Sequence, residues 1–386
     1  MLIGICGKPN VGKSSMFAAA TMLDVPISNR IFTTVHPNVG VGYARKPCVC
    51  SELNVQCQPV NSLCIRGNRF IPIKLVDIAG LVPDAHKGKG LGNQFLSDIV
   101  EADALIQVVD ISGATDSSGN PDGDDHDPGE DVTMIEREMN FWIAGIIQKA
   151  VGKMARMEKE DAIEALYTQV SGLNIKKESF QELLKEGELS SQPTEDEVVA
   201  FADRIRRKTK PHVIAGNKAD KVSLETVDEM KKRLACIPCS AQAELALRKA
   251  AGKNIIAYLP GDAKFSINAA DEAQQRALDY IQKNVFEKIG STGVQNVINT
   301  AVFDLLGMIA VYPVENEHKL TNKNGSVLPD IFLVKKGTTA RELAFKIHED
   351  IGKRFIAAVD ARTKKTLAAT YVLKDNDIVS IRYQKG

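Results

Sequence analysis

The chain has no excess of either charge, because 49 Lys and Arg residues balance 49 Asp and Glu residues. A neutral chain has no general attraction to nucleic acids or anionic membranes, so any such partner requires a local basic patch. The sequence also lacks an apolar run long enough to cross a bilayer. An apolar run already begins at residue 2, which leaves no room for a signal peptide. We therefore expect a monomeric, cytoplasmic protein with no membrane partner.

Aromatic residues are scarce at 5%, but hydrophobic residues reach 44% and charged residues 25%, as in a globular protein with ample core. A length of 386 residues predicts two or three domains. The seven cysteines argue against a disulfide framework, since a cytoplasmic protein keeps its thiols reduced.

A glycine-rich stretch near the start predicts a phosphate-binding site. Residues 7–14 have the sequence GKPNVGKS, which fits the pattern G-x-x-x-x-G-K-[ST]. The apolar run before it predicts a buried strand, and the residues after it predict a helix. In this order, backbone amides and the helix N-terminus face phosphate oxygens. Lys13 then contacts the β- and γ-phosphates, and the Ser14 hydroxyl binds Mg²⁺.

Two later stretches are suited to sensing a γ-phosphate. Of Thr33 and Thr34, we favour Thr34 as the residue whose hydroxyl completes the magnesium shell. Taken alone, this pair of threonines is more typical of a strand end. Asp77 follows a predicted strand and can hold Mg²⁺ or one of its waters. Gly80 can donate its amide to the γ-phosphate.

A third motif predicts which base is bound. A buried strand leads into Asn217, Lys218 and Asp220 in the pattern N-K-x-D. The Asp220 carboxylate can accept two hydrogen bonds from guanine, whereas adenine lacks this pair of donors. The stem of Lys218 can cover the base plane, and Asn217 can tie its loop to the phosphate loop. An amide after the next predicted strand can meet guanine O6, at Ser240 or Ala241.

Four cysteines lie close together in a loop-like stretch, Cys48, Cys50, Cys57 and Cys64. Four thiols in a reducing compartment can form a closed tetrahedral Zn²⁺ site that holds a segment lacking its own core. The C-x-C spacing is less common than C-x-x-C. The alternative is that they are unrelated small hydrophobic residues on strand faces. The sequence leaves both interpretations open.

Residues 131–209 have apolar residues at helical spacing and no convincing strand. Thr194 and Glu197 predict a capping box for a helix whose last turns are basic. Those charges suit the helix dipole and predict a solvated face, at Arg204, Arg206, Arg207 and Lys208.

The C-terminal residues predict a small module of strands around one helix. The helix begins after Thr339 in a capping box with Glu342. Strand-like stretches lie at 331–334, 355–359, 370–373 and 378–383. This pattern favours a β-grasp module that begins near Met308.

Taken in order, the motifs resemble the Obg-related family of translation-factor-class GTPases, and most closely its YchF-like branch. The segments that carry the resemblance are GKPNVGKS, FTTVHPN, DIAGLVP, GKGLGNQFL, NKAD and SA. It implies an α/β P-loop NTPase G domain with a mostly parallel sheet and helices on both faces, at 1–130 and 210–307. It further implies a helical insertion at 131–209 and a TGS-like β-grasp domain at 308–386.

The resemblance also implies function. The protein would bind GTP and GDP, hydrolyse GTP slowly as a switch, and contact the ribosome or RNA through the TGS-like domain. The implied phosphate-binding residues are Gly7, Pro9, Asn10, Val11, Gly12, Lys13, Ser14 and Ser15, together with Asp77 and Gly80. The implied catalytic residues are Asn10, Lys13, Thr34 and Gly80, and the implied magnesium ligands are Ser14, Thr34 and Asp77.

Two positions bear on alternatives. YchF-type proteins that prefer ATP lack the aspartate of the guanine motif, whereas this chain keeps Asp220. Leu81 stands where Ras-like proteins have a water-orienting glutamine, and leucine cannot orient water. Related GTPases with this departure use the asparagine of the phosphate loop, here Asn10, to help hold K⁺. A nucleotide-binding module with negligible hydrolysis and a YchF-type ATPase stay open as alternatives.

Overall fold

The computed structural model describes residues 1–21, 38–80, 98–116, 118–120, 126–154, 157–187, 189–190 and 192–384. Thr33, Thr34 and Leu81 lie outside these residues. The described chain forms two compact units. The first contains 1–21, 38–41 and the described residues from Lys74 to Ala301, and the second contains Gly42–Ile73 together with 302–384.

The strands, in chain order, are β1 (Leu2–Cys6), β2 (Val39–Pro47), β3 (Leu63–Ile65), β4 (Asn68–Asp77), β5 (Ala104–Asp110), β6 (His212–Asn217), β7 (Ile237–Pro238), β8 (Ile256–Ala257), β9 (Ser266–Ile267), β10 (Met308–Val314), β11 (Phe332–Lys335), β12 (Phe355–Asp360), β13 (Thr366–Leu367) and β14 (Ile378–Tyr383).

The α-helices are α1 (Lys13–Thr21), α2 (Val49–Glu52), α3 (Pro128–Met154), α4 (Lys159–Val170), α5 (Lys177–Glu186), α6 (Glu195–Thr209), α7 (Leu224–Leu234), α8 (Ala241–Gly252), α9 (Glu272–Ile281), α10 (Glu287–Ile289), α11 (Val294–Asn299), α12 (Ala340–Ile347) and α13 (Glu349–Lys353). Wider π-helical turns continue two of them, at Gln282–Phe286 and Thr300–Leu305.

The first unit is built on a parallel sheet with the strand order β4-β1-β5-β6-β7. Its central strands are apolar runs, and β5 is buried along its whole length, as expected for strands covered on both faces. The register aligns Ile5 with Asp77, and Asp110 with Asn217. Polar residues from several strands therefore meet at one edge of the sheet, beside the loop that follows β1.

Helices α3 to α6 form the predicted helical segment, around a core that includes Phe180, Phe201 and Ile205. The capping box of α6 is present, with Thr194 accepting from the Glu197 amide. The prediction of a fully solvated basic end was wrong for Arg206, which is buried and bonds to Asp203 at 2.8 Å. Its periodic position places it on the core face, where carboxylates of α3 and α6 neutralise it.

The second unit contains a β-grasp sheet with the order β11-β10-β14-β12-β13. The capped helix α12 packs Leu343 against this sheet's core. Strand β10 was not predicted. Its apolar residues follow almost directly on those of the preceding helix, so the pattern of apolar residues did not mark where the strand begins. The strand predicted at 370–373 was wrong, since the structure has only an isolated bridge between Thr339 and Val372 there.

Residues 42–73 were predicted to belong to the G domain, and the structure groups them with the β-grasp strands in the second unit. Strands β2 and β3 also pair with β4 in the sheet that contains β1. Cys48, Val49 and Ile71 lie in one apolar core with Tyr312 and Ile378. The contacts that fix them are long-range in sequence, so local composition gave no indication of them. Strand β4 belongs to both units, because the boundary falls after Ile73.

Among the described residues, no helix is long and apolar enough to span a membrane.

Candidate nucleotide-binding site

The loop between β1 and α1 has the backbone conformation that a phosphate cradle requires. Gly7 has a φ of +150° and Gly12 a φ of +98°. A Cβ atom at Gly7 would lie 2.5 Å from the Val108 carbonyl oxygen, and one at Gly12 would lie 2.3 Å from Asn217 Nδ2. Only glycine fits at these two points, because both contacts are shorter than any real Cβ contact and the backbone conformation disfavours side chains. The two glycines therefore allow the tight loop before α1.

The residues predicted to hold Mg²⁺ and the γ-phosphate lie together where the structure describes them. Ser14 Oγ donates to Asp77 Oδ2 over 3.2 Å. Asp77 Oδ1 is buried and has no hydrogen-bond partner among the described residues. A hydroxyl beside an unsatisfied carboxylate oxygen fits a hard divalent cation. Thr34, the third predicted ligand, lies outside the described residues.

Lys13 is positioned within the phosphate loop. Its Nζ donates to the Lys8 carbonyl oxygen over 2.8 Å, and a Cβ atom on Gly80 would lie 3.1 Å from it. Burial lowers the pKa of Lys13, against the opposing effect of Asp77. Burial likewise raises the pKa of Asp77, although Ser14 and Lys13 oppose the shift. Both groups are desolvated, as expected where an anion and a cation are to be bound.

Asn217 ties the base-reading loop to the phosphate loop, as predicted. Its Nδ2 donates to the Val11 carbonyl oxygen over 2.8 Å, and its Oδ1 accepts from the Ala241 amide over 3.0 Å. The Ser240 amide donates to the Thr292 carbonyl oxygen. Both amides that were predicted to be candidates for guanine O6 are therefore engaged within the protein, and the Ala241 amide positions Asn217.

Asp110 is a residue that sequence reasoning missed. It is buried at the end of β5, and its Oδ2 lies 2.6 Å from Lys218 Nζ. Lys218 has a left-handed backbone with φ +63°. The buried carboxylate fixes the direction of the lysine stem. An aspartate that ends the strand next to the N-K-x-D strand was the available indication.

Tyr280, which the sequence did not indicate, approaches Asp220, the carboxylate predicted to bind guanine. Its hydroxyl donates to Asp220 Oδ2 over 3.4 Å, and about half of its side chain is exposed. Burial and the Asp220 charge raise the pKa of Tyr280. The residue lies in α9, far from the motif in sequence, so spacing could not reveal it.

A segment after β5 covers the phosphate loop, and this contact was also not predicted. Lys8 is buried and its Nζ lies 2.8 Å from Asp131 Oδ2 in α3 and 3.0 Å from the Thr115 carbonyl oxygen. Asn10 Nδ2 donates to the Gly119 carbonyl oxygen over 2.8 Å. The segment leads into α3, which begins at Pro128 and contributes Asp131.

Comparison with known proteins agrees with this geometry. Residues 2–144 match the family described as 50S ribosome-binding GTPase, residues 215–316 match the G4 motif-containing domain of an Obg-like GTPase, and residues 319–382 match the TGS domain. An uncharacterised GTP-binding protein of Methanocaldococcus jannaschii is 47% identical over 390 residues, covering 98% of each chain. The chain belongs to the YchF-like family of Obg-related GTP-binding proteins.

This YchF-like protein is also similar to two further proteins. A crystal structure of a GTP-binding protein from Pyrococcus horikoshii has 40% identity and a TM-score of 0.80, with complete coverage of both chains. The ribosome-binding ATPase YchF of Bacillus subtilis is 26% identical and covers 98% of both chains. The predicted family, the P-loop GTPase fold and the TGS domain are thus confirmed. A P-loop NTPase of this family is a nucleoside-triphosphate hydrolase that uses Mg²⁺.

The four clustered cysteines of this YchF-like protein come together in the second unit. Their sulfur atoms all lie within 4.8 Å of one another, and none forms a disulfide. Cys48 precedes α2, Cys50 lies within it, Cys57 follows it and Cys64 lies on β3. A hydrogen bond from the Cys64 thiol lowers the pKa of Cys48 to about 4. The sequence left a metal site and unrelated core residues open as alternatives, and the structure brings the four thiols together beside the apolar core that contains Tyr312.

Proposed function

We propose that this protein is a GTP-hydrolysing switch that acts on the ribosome. The choice of GTP is supported mainly by the position of the N-K-x-D motif next to the phosphate loop. Asn217 is bonded to Val11 of the phosphate loop, which holds Asp220 at the same edge of the sheet as the phosphate site. A carboxylate there accepts the two donors of guanine and leaves adenine unsatisfied.

In this proposal the chain's own residues position the phosphates and neutralise their charge. Amides of the phosphate loop and Lys13 bind the phosphates, and the Gly80 amide senses the γ-phosphate. Ser14, Asp77 and Thr34 would hold Mg²⁺, which supplies charge neutralisation between the phosphates. Leu81 supplies no water-orienting group, so intrinsic hydrolysis is slow.

We assign part of the missing charge to K⁺ near Asn10. The bond from Asn10 Nδ2 to the Gly119 carbonyl oxygen fixes the amide group. Its side-chain oxygen is then presented by a rigid loop, which suits an ion that acts where an arginine finger acts elsewhere. A second ion, Zn²⁺, is assigned to the four thiols and is independent of the nucleotide site.

Ribosome contact is proposed from the family and the TGS-like module. Two relatives named as ribosome-binding ATPases match 98% and 97% of the chain. The chain's zero net charge requires the contact to be local. We propose a monomeric, cytoplasmic protein that associates with the ribosome through RNA contacts of the module.

The alternatives are a YchF-type ATPase and a nucleotide-binding module that barely hydrolyses. ATP use has support from the relatives named as ATPases, whereas Asp220 argues against it. Titration of labelled GTP and ATP into the nucleotide-free protein separates the two bases, and we expect a strong preference for GTP. Equal affinities would contradict the guanine assignment.

Single-turnover hydrolysis of GTP, with and without ribosomes, separates the switch from the non-hydrolysing module. We expect slow release of phosphate that ribosomes accelerate. No phosphate release in either condition would favour the module.

A further inference from the structure

The four thiols of the second unit have the spacing of a closed metal site. Cys50 Sγ and Cys64 Sγ lie 3.7 Å apart, far beyond a disulfide bond length of about 2 Å. A tetrahedral site with Zn–S bonds of about 2.3 Å places neighbouring sulfurs about 3.8 Å apart. The remaining pairs lie within 4.8 Å, so small side-chain movements complete a tetrahedron. All-sulfur ligation in a closed geometry favours Zn²⁺ over Mg²⁺ or Ca²⁺.

A buried arginine beside the cluster gives an independent observation. Arg69 is 0% exposed. Its Nη2 donates to the Leu328 carbonyl oxygen over 2.8 Å, whereas Nε and Nη1 have no hydrogen-bond partner among the described residues. In the register of β3 and β4, Arg69 pairs directly with Cys64, one of the four thiols. A zinc ion with four thiolates has a net charge of −2, which a buried guanidinium partly balances.

The segment that carries the thiols is fastened to the β-grasp strands on several sides. Asn61 exchanges two hydrogen bonds with the backbone of Ile331, at 2.9 and 3.0 Å. Glu52 and Arg362 form a bidentate ion pair at 3.1 Å. The Arg69 guanidinium lies 5.6 Å from the ring centre of Tyr312 on β10. Apart from α2 and β3, residues 48–67 have no regular structure, so a metal cross-link among the thiols would add to these contacts in holding the segment's shape.

We propose that Cys48, Cys50, Cys57 and Cys64 bind one structural Zn²⁺. The ion fixes residues 48–67 against the β-grasp core, and Arg69 positions and balances the charge of its thiolates. The site is closed, because all four ligands come from the protein, so its role is structural and not catalytic. It is also independent of nucleotide hydrolysis, so its test can fail without affecting the proposed GTPase activity.

Elemental analysis of the purified full-length protein, prepared without chelators, should give about one zinc per chain. X-ray absorption at the zinc edge should show four sulfur neighbours at about 2.3 Å. Metal-free protein with an ordered segment, a shell containing nitrogen or oxygen, or iron in place of zinc would each overturn the assignment.

The half-buried Cys57 offers the mildest ligand variant, and Cys57→Ser should lose most of the zinc. Cys236→Ala is the matched control, since it removes a buried thiol outside the cluster and should retain full zinc. Should Cys57→Ser fail to fold, Co²⁺ exchange into the wild type gives a second measurement. It should produce sulfur-to-cobalt charge-transfer bands of a tetrahedral tetrathiolate, and octahedral spectra would contradict the site.

Arg69 is tested by competition with a zinc chelator. Arg69→Met should weaken zinc affinity about 10- to 100-fold without changing the stoichiometry, and Arg69→Lys, which keeps the charge, should restore part of it. Equal zinc affinity in all three proteins would remove the positioning role of Arg69.

Discussion

At the scale of single residues, the two aspartates near the base-reading loop have different partners. Asp110 is buried against Lys218 at 2.6 Å, so its charge is already compensated. Asp220 is half-buried and contacts only the weakly bonded Tyr280 hydroxyl among the side chains described here. Asp220 is therefore the carboxylate that we propose for guanine binding.

We predict that Asp220→Asn weakens GTP binding at least about tenfold, because a charged acceptor of two hydrogen bonds is lost. The amide presents a donor, so the variant should instead favour xanthosine nucleotides. Competition between GTP and xanthosine triphosphate for the labelled-nucleotide site measures this exchange.

Tyr280→Phe is the matched control, because it removes the hydroxyl that bonds to Asp220 and keeps the carboxylate. Its preference for GTP over ATP should remain. Unchanged selectivity in Asp220→Asn would show that another group selects the base.

Potassium dependence is the second residue-scale prediction. GTP hydrolysis should be faster in KCl than in NaCl, and Asn10→Ala should abolish the difference, since the side-chain oxygen is lost. Leu81→Ala should change the rate little. Phosphate release at matched ionic strength measures all three proteins.

Asn10→Asp distinguishes ion binding from loop support. It keeps an oxygen but loses the N–H group that donates to Gly119. Because that bond fixes the amide group, potassium stimulation should be weaker than in the wild type but larger than in Asn10→Ala. Identical rates in the two salts for the wild type would contradict the potassium role, and a large loss in Leu81→Ala would contradict the passive role of the leucine.

The sequence could predict those residues that belong to a short motif, in which the spacing of the residues indicates their function. Gly7, Gly12 and Lys13 follow from one pattern, and Asn217 from another. Lys8 and Tyr280 could not be predicted, because their partners Asp131 and Asp220 lie far away in the chain. A single sequence does not show which distant side chains pair in the folded protein.

At the scale of elements, a buried lysine just after α6 forms hydrogen bonds that hold the end of this helix. Lys210 Nζ donates to the carbonyl oxygens of Val100 and Ala102, at 2.6 and 2.8 Å. Burial lowers the pKa of Lys210 to about 8 from the usual 10.5, against the opposing effect of Asp103. The lysine joins the helical segment to the residues before β5.

This shift predicts a pH dependence of stability. Between about pH 8 and 10.5 the unfolded lysine binds more protons than the folded one, so its contribution to the free energy of unfolding rises with pH. The slope is at most about 1.4 kcal/mol per pH unit. Denaturant unfolding from pH 7.5 to 10 should therefore show a rise in the wild type relative to Lys210→Met. Parallel curves for the two proteins would contradict it.

Elements determined by adjacent residues could be predicted from the sequence. Elements that depend on contacts with distant residues could not. Strand β5 and the capping boxes at Thr194 and Thr339 follow from adjacent residues. Strand β10 and the position of residues 42–73 depend on pairing across hundreds of residues. Arg206 shows the same limit, because its charge suggested solvent while its helical position directed it to the core.

At the scale of the whole molecule, Lys335 and Lys336 of the TGS-like module lie apart from Lys353 and Arg354 in its sheet. Lys335 pairs with Met308 at one end of β10, whereas Lys353 and Arg354 precede Phe355, which pairs with Tyr383 at the other end of the sheet. Lys353 is also paired with Glu349. The ribosomal RNA contact is therefore expected at Lys335 and its exposed neighbour Lys336.

We predict that the double variant Lys335→Glu, Lys336→Glu weakens ribosome co-sedimentation and lowers the salt dependence by about one unit per lysine lost. The double variant Lys353→Glu, Arg354→Glu is the control at the opposite end and should bind nearly as the wild type does. Binding that neither variant changes would refute RNA contact through these residues.

The discontinuous second unit has a consequence for biosynthesis. Residues 42–73 leave the ribosome roughly 230 residues before residue 302 does, a delay of about 10 to 50 seconds at usual elongation rates. During that interval their apolar face has no β10 or β14 to pack on. The four thiols all lie between Cys48 and Cys64, so their metal site can close while synthesis continues. The nascent segment can thus be kept compact until its last partner strand is made.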